Sequence, residues 1–131
     1  MTNKRDELLK LAEQIIKLSP KMRFVGIIDL HGNIAEGIMK KGKTLLESQK
    51  GLEHFCKQVG QRRKMRKEFD TSLGKVRFVH VERENVSQLA IYTKKNTIFV
   101  TVEPELSIKK KIQIENTIKK LAMNIRFGTI H

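Results

Sequence analysis

Apolar positions along this chain switch between helical and strand periods. The order of the switches predicts helix, two strands, long helix, three strands, helix. Leu8, Leu11, Ala12, Ile15 and Leu18 recur at spacings of three and four, so a first helix over Thr2–Leu18 has one buried side, with charged residues around the rest. Ser19-Pro20 ends it, because proline disfavours helical geometry in the residue before it. Arg23–Leu30 then reads as a strand and Ile34–Met39 as its partner. They are joined through His31-Gly32-Asn33, where glycine and asparagine supply the positive φ of a tight hairpin. Phe24, Val25, Ile27 and Ile28 show little alternation, as expected of a strand covered on both faces. Gly26 and Gly37 mark bulges or a close helix approach. Asp29 and His31, flanking the turn, are read as turn chemistry rather than catalysis.

After the basic loop Lys40–Lys43, Thr44 is expected to cap a second helix. Leu45, Leu52, Phe55, Cys56 and Val59 form its stripe. Two endings fit: at Gly60, or beyond it through Gln61–Phe69, where Met65 and Phe69 lie one turn apart. The longer helix is preferred. A turn at Thr71–Gly74 leads into strands at Lys75–Arg83, Gln88–Thr93 and Thr97–Val102, with connections short enough for an antiparallel meander. Lys75–Arg83 alternates, with Val76, Phe78 and His80 on one side and Arg77, Val79 and Val81 on the other, which suits an edge strand. Ile98–Val102 is apolar enough to be central. Ser107 can cap a last helix over Ile108–Arg126, with Ile114, Ile118, Leu121, Ala122 and Ile125 on its buried face and Gly128 just past its end. The expected fold class is α+β: a single five-stranded antiparallel sheet with helices on both faces, in one domain spanning residues 1–131, with Arg23–Leu30 beside Thr97–Val102 at its centre.

Composition adds charge. The chain has 131 residues, 39% hydrophobic, with 27 Lys+Arg against 14 Asp+Glu for a net charge of +13. Such a charge attracts polyanions without itself making a site. The single cysteine, Cys56, excludes an intrachain disulfide, and no signal peptide is recognised, so the cytoplasm is the expected compartment. No apolar run approaches the roughly 20 residues of a membrane span, and no membrane insertion is expected.

The element order, together with FVGIIDLHGNIAEG (Phe24–Gly37) and VRFVHVERENVSQLAIYTKKNTIFVTVEP (Val76–Pro104), resembles the roadblock/dynein-light-chain family, a profilin-like fold with longin and PAS-like relatives. The resemblance covers about Asp6 to Arg126. It implies that the long middle helix lies on one face of the sheet and the terminal helices on the other. It also implies a small dimeric scaffold that regulates NTPases or motor and trafficking complexes and has no catalytic residues. The chain departs from the family in being far more basic.

The strongest local feature is Gln61–Lys67, where Arg62, Arg63, Lys64, Arg66 and Lys67 form a candidate surface for a partner or anion. Lys109, Lys110 and Lys111 add to it at a helix start, where cations oppose the helix dipole. Val76, Phe78 and His80 mark the candidate dimer edge, because an edge strand carries unpaired backbone groups. The reading is therefore a non-catalytic homodimer that binds a protein partner, with a small NTPase as the class implied by the resemblance. The alternative is a basic nucleic-acid-associated protein. Only Tyr92 looks available for stacking bases, so nucleic-acid binding is expected to be weak, electrostatic and sequence-blind.

No cofactor, metal or catalytic site is expected. His54 and Cys56 diverge on a helix, and His80 and His131 lie elsewhere, whereas zinc needs about four converging ligands. Cys56 has no nearby base and reads as a small core hydrophobe. Gly42-Lys43-Thr44 matches only the end of a phosphate-binding loop.

Overall fold

The two runs without alternation lie where a sheet is covered on both sides. In the computed structural model, which describes residues 4–128 and the side chains of 5–124, they form β1 (Met22–Asp29) and β5 (Asn96–Val102). These are antiparallel neighbours, with Val25 opposite Val100 and Ile27 opposite Ile98. With β2 (Ile34–Met39), β3 (Phe78–Glu82) and β4 (Ser87–Tyr92) they build one five-stranded sheet of order β2-β1-β5-β4-β3. The expected central pair and the expected edge strand are both present. Every neighbouring pair of strands is antiparallel.

Each face has its own core. On one, Leu11, Ala12 and Ile15 of α1 (Lys4–Ile16) and Ile114 and Ile118 of α4 (Ile108–Gly128) pack on Val25, Ile27, Leu89, Ile91 and Val100. On the other, Leu52, Cys56 and Val59 of α2 (Gln49–Lys67) cover Phe24, Ile28, Ala90 and Phe99. Each fully buried Leu or Ile side chain contributes roughly 1.5–3 kcal/mol, so both layers are firmly held.

The details differ from the sequence reading in places. The first helix ends at Ile16 rather than Leu18, and its expected start at Thr2 lies outside the described residues. Ser48, not Thr44, caps α2: its Oγ accepts from Gly51 N at 3.0 Å, while the Thr44 carbonyl accepts from Arg23 at 3.1 Å. The helix passes through Gly60 to Lys67. The expected turn at Thr71–Gly74 is instead one helical turn, α3 (Asp70–Leu73), closed by Gly74 at φ +86°. β3 starts at Phe78, leaving Val76 outside the strand. Gly26 and Gly37 are not bulges; they pair with each other, and the ring of Phe24 lies against both. The irregularity in that ladder falls between Ile27 and Ile28. Ser107 accepts from Lys110 N as expected, and Gly128 is still helical. The Ile125 side chain lies outside the described residues.

Candidate functional site

Glycine decides how α2 sits. Gly60 lies against the β1–β2 turn so closely that a Cβ there would fall 2.8 Å from Gly32 N. Gly32 itself has φ +90°, and a Cβ on it would fall 2.7 Å from Lys57 Cα. Asp29 organises the turn by accepting from His31 N and Asn33 N, each at 2.9 Å, which holds its carboxyl below the usual range despite opposition from burial. The Lys57 ammonium bonds to Asn33 Oδ1.

With α2 placed there, the basic cluster separates by helix face. Arg63 turns inward. Its guanidinium donates to Thr93 O at 2.5 Å, Asn96 O at 2.7 Å and Thr97 Oγ1 at 3.0 Å, and lies 4.6 Å from the centre of the Tyr92 ring. Arg66 donates to Tyr92 Oη at 2.9 Å. These two arginines fasten α2 to the β4–β5 hairpin, which corrects their reading as free anion ligands and removes Tyr92 as a stacking platform. Arg62, Lys64 and Lys67 are exposed, as are Lys109 and Lys110. Lys111 is not: it is 1% exposed, bonded to both Glu82 oxygens at 2.9 and 3.0 Å and to Pro104 O at 3.2 Å. Its ammonium ties α4 to β3 and does not face a partner.

Between α2 and β3 the sheet is uncovered. An open groove there has an apolar floor of Phe55, Val59, Val79, Ala90 and Phe99, with Arg62, Arg66 and Arg83 on its margin. Arg62 and Arg83 lie 5.7 and 5.9 Å from the centre of the Phe55 ring, within cation–π range. Among the described residues no strand pairs with the outer edge of β3. Val81, Met65, Phe69 and Leu73 are exposed. Of the expected edge residues, Phe78 packs toward the α1/α4 core and His80 faces α4, while Val76 precedes the strand. Val79 lines the groove and Val81 lies at it. The alternation had placed them on that opposite side, but nothing in it showed that α2 would leave the side open.

Behind β3, charges are stacked in sequence from Lys111 to Glu82, His80 and Glu115. Lys111, opposed by desolvation and helped by Ser87 and His80, holds the Glu82 carboxyl down at about 2. Glu115 is 0% exposed and neither oxygen has a hydrogen-bond partner; its nearest counter-ion candidate is His80 Nδ1, 4.0 Å away. Burial pushes its carboxyl up to about 7, partly offset by Lys119.

Elsewhere the chemistry is quiet. Cys56 is fully buried and burial pushes its thiol up to about 11, far from a reactive thiolate. Lys43 of the phosphate-loop fragment reaches Glu103 at 3.4 Å. Among the described residues, no three His, Cys, Asp or Glu side chains are grouped to hold a metal. His131 lies outside them. No helix of the described residues is long and apolar enough to cross a membrane.

A family model described as "Family of unknown function (DUF6659)" matches residues 5–126. No curated protein matches the chain. Among solved structures, the Roadblock/LC7 domain from Streptomyces avermitilis superposes with a TM-score of 0.71 at 11% identity, covering 93% of this chain and 97% of that one. Gliding protein MglB from Thermus thermophilus gives 0.77 at 8% identity, covering 95% and 93%. MglC from Myxococcus xanthus gives 0.61 at 10% identity, covering 93% and 98%. At such identities the likeness is one of fold, and the roadblock-like architecture expected from the element order is shown.

Proposed function

The chain belongs to DUF6659, a family of unknown function, and has a roadblock-like fold; from that premise we propose that it is a small non-catalytic regulatory module that acts by binding protein. Residues 1–131 work as one domain. The observation that carries the reading is the unpaired edge of β3 beside the open apolar groove under the α2 flank. A second copy placed edge to edge continues the sheet and lays its own α2 flank over the groove. That satisfies the unpaired backbone groups and covers Val79, Val81 and Phe55 in one step. A related solved structure is titled "MglB with tetrameric arrangement", so assembly between copies is recorded for a neighbour of this fold. The dimer then presents a composite surface to a protein partner in the cytoplasm, with an NTPase as the class implied by the resemblance.

Sedimentation equilibrium at micromolar concentration tests the reading. The expected result is a dimer that Val81→Arg converts to a monomer with an unchanged circular-dichroism spectrum. Because Arg62, Arg66 and Arg83 margin the covered groove, self-association should strengthen as salt screens their repulsion. Sedimentation as monomer at every concentration and salt would overturn it.

A further inference from the structure

The sequence cluster at Gln61–Lys67 has Arg63 and Arg66 tied to the β4–β5 hairpin, yet the fold assembles a different basic surface. The β1–β2 and β4–β5 turns lie at the same end of the sheet, since Asp29 at the close of β1 is opposite Asn96 at the start of β5. Helix α2 is held against both, through the Gly60 contact with Gly32 and through Arg63 on Thr93 and Asn96. At about 100° per residue, Lys57 and Lys64 point within about 20° of each other around the helix axis, with Gly60 and Lys67 close by on the same side. The exposed Lys94 and Lys95 form the tip of the β4–β5 turn, whose two flanking carbonyls Arg63 grips. Five lysines distant in sequence thus share one end of the molecule.

Among the described residues, none of Lys57, Lys64, Lys67, Lys94 and Lys95 pairs with a carboxylate. Nearby, the Asp29 carboxylate is turned in to His31 N, Asn33 N and Asn33 Nδ2. Glu53 lies one turn before Lys57 on α2, and Glu68 and Asp70 follow Lys67 at its close.

We infer that this end is a second binding surface, for the phosphodiester backbone of double-stranded nucleic acid. Lysine ammoniums act as point charges toward phosphate and do not read base edges as a paired arginine fork does. Tyr92 lies under Arg63 and is bonded by Arg66, which leaves the exposed Phe69 beyond Lys67 as a single platform. Single-strand binders line up several, and this disfavours a single strand. An anionic lipid surface would attract the same lysines by charge, but firm seating needs an inserted apolar face. Here Leu30 in the turns and Met65 and Phe69 at the close of α2 are scattered exposed apolar side chains, so vesicle capture is the competing outcome. The surface lies apart from the β3 edge and does not depend on the dimer reading. Its salt dependence also has the opposite sign: binding here releases counterions and weakens with salt, whereas association across the arginine-margined groove strengthens.

The test is fluorescence anisotropy of the full chain with two labelled DNA duplexes of unrelated sequence over a series of salt concentrations. The same chain is assayed with a single strand and with phosphatidylserine vesicles. With five phosphate contacts the log–log salt slope is about −4.5, the same for both duplexes. Replacing Lys64, Lys94 and Lys95 together with glutamine removes three contacts and brings the slope to about −1.8. Lys109→Gln with Lys110→Gln, which lowers net charge at the far helix start, leaves the slope unchanged. Equal loss in both variants would show a general charge effect and overturn the site. So would an unchanged slope in the triple variant, or capture by vesicles with no duplex binding.

Discussion

Gly32 and Gly60 meet backbone to backbone, and that contact sets the position of the whole of α2. A helical glycine exchanged for alanine ordinarily gains about 1 kcal/mol of helix propensity. Here the added Cβ would lie 2.8 Å from Gly32 N and 2.9 Å from Gly32 Cα, atoms of a turn that Asp29 already holds. Gly60→Ala is therefore expected to destabilise the protein by about 1–3 kcal/mol, as overpacking does. Urea denaturation checks this, and a variant as stable as the parent would mean that the turn yields freely.

Neighbouring arginines should behave oppositely. Arg63 donates to two turn carbonyls and stacks on Tyr92, a planar fork that lysine does not reproduce. Arg63→Lys is expected to cost about 1–3 kcal/mol, since the Thr93 and Asn96 carbonyls lose their partner. Arg62→Gln, at an exposed position, should stay within about 0.5 kcal/mol. Thermal melts of the two variants side by side make the comparison, and equal melting temperatures would contradict the division of the cluster by helix face.

Glu115 and Glu82 give stability a pH dependence of two signs. The Glu115 carboxyl is raised in the folded protein from 4.5 to about 7. Its contribution is thus fully present below about pH 4.5 and is lost as pH rises through about 7, because only the unfolded chain ionises freely in that window. Glu82 is lowered from 4.5 to about 2, so its contribution holds above about pH 4.5 and is lost as pH falls toward 2. Glu115→Gln should stabilise the protein at pH 8, by roughly 1–3 kcal/mol, and change little at pH 4. Denaturation midpoints across this range provide the check; a variant whose pH profile parallels that of the parent would show that Glu115 does not titrate as its burial requires.

What the sequence by itself determined was most of what has a local signal, although the cap of α2 was expected at Thr44 and lies at Ser48. Runs such as Val25–Ile28 and Ile98–Val100 announce strands covered twice, because successive side chains of a strand point to opposite faces, so an unbroken apolar run needs cover on both. The element order followed from changes of hydrophobic period, and the resemblance to the roadblock family followed from that order. Ser107 could be read as a cap because a cap acts over three residues. Tertiary structure decided the rest. Arg63 and Arg62 are adjacent and chemically identical, and only the helix face turned toward Thr93 makes one a fastener and the other a surface charge. Lys111 is legible as a cation, but its burial depends on Glu82, 29 residues away in sequence. The gathering of Lys57, Lys64, Lys94 and Lys95 at one end likewise has no local signal. It exists because two glycines far apart in the chain let a helix and a turn approach closer than any side chain would permit.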